Sequence, residues 1–187
     1  DSAGNTATPV TRTVNVIDNV LPTVTFGTNG NSTYAKSRST KVTVSDNVGV
    51  NASSLKYLWN TSTTQPSEAS IKTTFTNGGT ITTPSGVTGD YYLWIVAKDT
   101  SGNTRIQRSN VFKLDNTIPV ITVTGTNPIT INAGTTYSDA GATATDNIDA
   151  TVTVTSSGTV NPNIVGTYTI TYNATDSAGN TATPVTR

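Results

Sequence analysis

The chain has 187 residues, of which 33% are apolar and 12% charged, and its formal net charge is zero. It contains no cysteine, methionine or histidine, which excludes disulfides, thiolate chemistry, Cys- or His-ligated metals and every Ser-His-Asp or Cys-His nucleophile. The neutral balance gives nucleic acid no basic footprint, and no apolar run approaches the roughly 18 residues that would span a bilayer. What remains is dominated by threonine, with serine, asparagine and glycine behind it. Threonine is β-branched and suits a pleated, half-solvated surface, so the composition points to an all-β protein.

The first twelve residues, Asp1–Arg12 (DSAGNTATPVTR), return letter for letter as Asp176–Arg187. Identity of that kind marks a tandem array. Residues 1–18 read as the closing strand of a preceding repeat, or as a donor strand for a neighbouring chain. Ile17-Asp18-Asn19-Val20-Leu21-Pro22 then matches Leu114-Asp115-Asn116-Thr117-Ile118-Pro119. Each is a strand end, a short Asp-Asn linker and a proline where the next strand starts and needs no ladder donor. The linkers set the boundaries: one domain over 19–116 and a second over 117–187, whose last strand stops at Arg187.

Within the first domain, Lys41–Ser45 alternates around Val42 and Val44, and Leu55, Tyr57 and Trp59 share one face of a strand. Gln65–Ser70 (QPSEAS) is the one helical turn expected. Tyr92–Lys98, an Asp-Thr-Ser-Gly-Asn turn and a returning strand read as a β-hairpin. In the second domain Thr151–Thr155 buries Val152 and Val154. Tyr168, Ile170, Tyr172 and Ala174 alternate with threonines and lead into Asp176-Ser177-Ala178-Gly179-Asn180, a second hairpin of the same design. Short strands punctuated by glycine and proline fit a sandwich. The charge is uneven: residues 19–116 carry nine Lys/Arg against five acids, and residues 117–187 one against four. Unlike neighbours in an array would attract; unrelated drift of two surfaces gives the same numbers.

These motifs carry a resemblance. Pro119–Arg187, through PVITVTGTNPITINAGTTYSDAGATATDN, GTYTITYNATDSAGN and TATPV, resembles the bacterial surface immunoglobulin-like domain family also found in some pesticidal crystal proteins. Residues 20–116, through GDYYLWIVAKDTSGN, resemble a related bacterial Ig-like domain common in Gram-positive surface proteins. The resemblance implies two tandem Ig-like β-sandwiches in an extracellular, cell-surface setting, with no shared catalytic activity; fold alone never establishes function.

No enzyme is expected. Paired aspartates for glycoside hydrolysis lack any sign of a cleft. The better chemistry is calcium, which takes six to eight oxygen ligands. An Ig-like layout gathers Asp18, Asn19, Asp46, Asn47 and Asp99 at the start of the first domain. It gathers Asp115, Asn116, Asp146, Asn147, Asp149 and Asp176 at the start of the second. An ion at either place would clamp a junction. The same residues also serve as ordinary turn and cap groups bonding their own backbone. The expected role is a structural extracellular repeat, a stalk or the self-assembling subunit of a fibre or surface layer, partnered by itself. The alternatives are an adhesin module binding cell-wall or host glycan or host protein through Trp59 or Trp94, and an accessory domain of a secreted enzyme or toxin. For the tryptophans, a place in the core is the plainer reading.

Overall fold

The computed structural model describes residues 1–187. It is all-β apart from two single 3-10 turns, and every strand pairing is antiparallel. Residues 1–22 lie outside every sheet. The strands are β1 (Thr23–Phe26), β2 (Ser39–Ser45), β3 (Lys56–Asn60), β4 (Thr73–Thr74), β5 (Thr80–Thr82), β6 (Gly89–Lys98), β7 (Thr104–Arg108) and β8 (Phe112–Leu114). They continue with β9 (Val120–Val123), β10 (Ala142–Thr145), β11 (Val154–Ser157), β12 (Thr171–Ala174) and β13 (Val185–Thr186).

No strand pairs across Asp115–Pro119, so the ladders form two units. In the first, β1-β2-β5 faces β4-β3-β6-β7, and β8 adds to the start of β6. Between the sheets lie Val24, Val42, Val44, Leu55, Ile81, Leu93, Ile95 and Ala97. Each such aliphatic group contributes about 1.5–3 kcal/mol when withdrawn from water. The alternation read over 41–45 and 55–59 follows from this face. Trp59 leans half-buried on it, edge-on to Phe112 with ring centroids 5.2 Å apart, and donates Nε1–H to the Thr82 carbonyl at 2.9 Å.

β6 departs from simple alternation. Leu93, Trp94, Ile95, Val96 and Ala97 are all buried, because the strand is covered on both faces. Trp94 and Val96 point away from the sandwich into a small second core under Ile71. That cover is the Gln65–Ile71 loop, which contains the expected helical turn as a 3-10 turn at Glu68–Ser70. Lys98 pins it through an ion pair with Glu68.

In the second unit β9 pairs β10, and β12 is flanked by β11 and β13. Ile121, Ile170, Tyr172, Ala174 and Ala182 form its core. Two expectations shift here. The strand placed at 151–155 begins at Val154, where Ala174 becomes its partner, and runs to Ser157. Val152 packs on the core without joining the ladder. The strand placed from Tyr168 begins only at Thr171, since residues 166–169 have no neighbour to pair with and extended backbone needs one.

Candidate metal centres

The turn Asp-x-x-Gly-Asn occurs three times with one geometry. In Asp99–Asn103 and Asp176–Asn180 the aspartate Oδ1 accepts the asparagine N–H, at 2.8 and 2.7 Å, and Oδ2 accepts its Nδ2–H, at 2.6 and 2.7 Å. Gly102 and Gly179 adopt φ of 96° and 90°, a region that a Cβ disfavours. The third copy, Asp1–Asn5, makes the same bonds while lying outside any sheet, so the turn is encoded locally. The asparagine then reaches further. Asn103 Nδ2 donates to the Asp18 carbonyl and Asn180 Nδ2 to the Asp115 carbonyl, both at 3.1 Å. The hairpin of each unit thereby grips the linker that leads into it.

A third carboxylate joins from the loop after β2 or β10. Asp46 Oδ1 accepts from the backbone N–H groups of Val48 and Gly49, and Asp146 Oδ1 from those of Ile148 and Asp149. The outcome is two equivalent triads, Asp18–Asp46–Asp99 and Asp115–Asp146–Asp176, with one carboxylate oxygen from each member within 4.8 Å of the others. In both triads the linker and loop aspartates spend only Oδ1 on hydrogen bonds. Their Oδ2 atoms (Asp18, Asp46, Asp115, Asp146) are buried without a partner. Neither triad touches a basic side chain; the two ion pairs of the molecule are Lys98–Glu68 and Arg187–Asp139.

Like charges this close are costly. At an effective dielectric of 20 each pair at that span repels by about 3 kcal/mol. Asp115 is fully buried, and its carboxyl is raised above the usual range by that burial and by the charges of Asp146 and Asp176. Asp99 is buried too, but the bonds from Asn103 outweigh the burial and hold it below the usual range. Two oxygens on one ion at roughly 2.4 Å each span about 4.8 Å. The donor set therefore fits a hard, oxygen-preferring cation: the partnerless Oδ2 atoms face the space that such an ion fills.

The other expected ligands lie elsewhere. Asp149 braces the next turn, accepting from Ser177 N–H and Oγ–H at 2.7 and 2.8 Å. Asn116 ties the linker to the first unit, donating Nδ2–H to the carbonyls of Val87 and Lys36. Asn47 donates to Asp18 Oδ1, while Asn19 and Asn147 are exposed. Sequence reading missed Asn103, Asn180 and Thr88. The signal for the asparagines was present in the shared Gly-Asn. Thr88, which donates to Asp115 Oδ1 and binds the Asn116 N–H, had no counterpart motif to flag it.

A second polar cluster was not anticipated. Asp139 accepts from Tyr137, Tyr172 and Arg187. Burial opposes its ionisation, yet these bonds hold its carboxyl below the usual range. Burial, and then the Asp139 charge, push the Tyr172 hydroxyl up to about 12. Arg187 also donates to the Thr124 carbonyl.

Residues 121–187 match the family model described as bacterial surface protein, Ig-like domain, the family that this segment resembles in sequence. The matched stretch holds β9–β13 and the triad residues Asp146 and Asp176. No curated protein matches the chain, and no solved structure does.

Proposed function

From a segment that matches a bacterial surface Ig-like domain, we propose that this chain is a non-catalytic, extracellular spacer. In this reading residues 19–116 and 117–187 are domains laid in series, and calcium stiffens each junction. The observation that carries it is the repetition of one triad at both linkers, each with partnerless buried carboxylate oxygens. The linker between the units is already bonded on both sides, by Lys36, Val87 and Thr88 to one and by Asn180 to the other. A cation on Asp115, Asp146 and Asp176 would neutralise the repulsion at that point and remove its remaining freedom.

Cell-surface location follows from the family match, and no helix is long and apolar enough to cross a membrane. A glycan-binding role draws no support from the tryptophans, because Trp94 is buried and Trp59 is engaged with Phe112. The test is thermal unfolding in calcium and in excess chelator. Free calcium at 100 times its Kd stabilises by about 2.7 kcal/mol, roughly 10–20 °C for units of under 100 residues. Superimposable melting curves would remove calcium from this reading.

A further inference from the structure

The second unit has an open seam. In the first unit β6 runs for ten residues, and its opening stretch is held by β8: Gly89 faces Leu114 and Tyr91 faces Phe112. Leu114 also bridges Ala35 in parallel on the other side. Phe112 and Leu114 are fully buried, so β8 is a strand plugged into the end of the sandwich. The counterpart of Gly89-Asp90-Tyr91-Tyr92-Leu93 in the second unit is Gly166-Thr167-Tyr168-Thr169-Ile170. There the ladder stops at Ile170, which exchanges both backbone bonds with Arg187. Residues 166–169 belong to no strand. Beside them lies a cavity of about 480 Å³, walled by Ile129, Ile131, Val160, Ile164, Tyr168 and Ile170 among others. Ile129 and Ile164 are 46% and 62% exposed.

The chain also holds a strand with no sheet. Because Asp1–Arg12 and Asp176–Arg187 are the same sequence, the residues after Arg12 show what the design places after this hairpin: Thr13-Val14-Asn15-Val16-Ile17-Asp18. Val14 and Val16 are 73% and 93% exposed and alternate with polar residues, the mark of a strand with one buried face. Extending the pairing of Arg187 with Ile170 by this sequence sets Val14 opposite Tyr168 and Val16 opposite Gly166. Those are the places that Phe112 and Leu114 take opposite Tyr91 and Gly89. Thr13 and Asn15 then face outward, as Lys113 does between its two buried neighbours.

We infer that the seam of the second unit is filled by Thr13–Ile17 of a second copy of this chain, entering between residues 128–133 and 165–169 as an added antiparallel strand. Strand addition of this kind draws affinity from main-chain bonds and specificity from alternate side-chain pockets. The contact is head-to-tail, so it propagates instead of closing. The donated strand runs directly into the donor's Asp18, as β8 runs into Asp115, and the junction between copies repeats the junction within one. The inference rests on register and apolar pattern and stands apart from whether calcium binds.

The cysteine-free background supplies a direct test. A Val16→Cys chain is mixed with a Gly166→Cys chain under mild oxidation, in calcium and in chelator. A covalent heterodimer is expected in both, reduced at least tenfold when the donor also carries Val14→Asp. Light scattering on residues 1–187 should show mass rising with concentration in steps of the 19.4 kDa chain, and a Val14→Asp/Val16→Asp variant should hold one step. These substitutions lie in the exposed leader and leave both cores untouched. Cross-linking no better than that of the Asp variant, or one mass for both proteins at every concentration, would overturn the proposal. So would a version extended past Arg187 by TVNVID that melts higher and stays monomeric while residues 1–187 never associate, since the seam would then belong to a strand of its own chain.

Discussion

At the scale of single residues the informative groups are carboxylates whose surroundings disagree with their charge. Asp115 is raised by burial and by two neighbouring carboxylates. Without metal the folded state therefore keeps a proton that the unfolded chain has released, and its stabilising share is lost as pH rises through the folded pKa. Asp115→Asn should flatten that slope and raise the metal-free melting temperature near neutrality by a few degrees, about 1 kcal/mol. In saturating calcium the same variant should melt lower than the parent, because a ligand is gone. A variant that moves the same way in both buffers would argue that Asp115 holds no ion. Asp139 has the opposite sign. Its carboxyl is held below the usual range despite burial, so its contribution is present above the unfolded pKa and fades as pH falls through the folded one. Asp139→Asn leaves the Arg187 guanidinium, 5% exposed, without its counter-charge. A cost of roughly 3 kcal/mol at neutral pH is expected, and the gap between variant and parent should narrow in acid, as read by denaturant titration at several pH values.

The Asp-x-x-Gly-Asn turn is the element on which the site depends. It forms identically at the ends of two hairpins and in an isolated leader, so sheet packing is not what shapes it. Its internal bonds set both the aspartate of the triad and the asparagine that holds the linker carbonyl. Gly179 sits at φ 90°, with the nearest atom to an added Cβ at 4.0 Å. Room is available, and the penalty for Gly179→Ala comes from backbone conformation alone, about 1–2 kcal/mol. Thermal unfolding of the second unit measures it, and calcium affinity should weaken in step as the turn loosens. An alanine variant with unchanged stability would show that the backbone relaxes away from this geometry at little cost.

At the scale of the molecule, two units of unequal charge meet at one linker that both of them grip. The basic first unit supplies Lys36, Val87 and Thr88 to the linker, and the acidic second unit supplies Asn180 and two of the three carboxylates. Chelation should act on the joint as well as on stability. Solution scattering of the protein used for the melting test should show a narrower range of interunit angles in calcium than in chelator. The two readouts separate a bound ion that clamps from one that merely stabilises a fold.

Composition alone determined that the protein is β-structured and non-nucleophilic, since threonine-rich alternation suits a pleated face and no histidine or cysteine is available for nucleophilic triads. Repetition determined where the linkers fall, because prolines and Asp-Asn pairs punctuate chain direction locally. The three aspartates of each triad were legible as turn residues at one end of a sandwich. Only the tertiary structure decided that Asp149 turns away to Ser177, that Asn180 reaches the linker, and that four Oδ2 atoms are buried without partners, because these depend on how distant loops converge. It likewise decided that Trp94 lies under a loop on the outer face of β6 and that residues 166–169 stay unpaired. A strand exists only where another strand satisfies its backbone, and one strand's sequence does not say whether that neighbour is present.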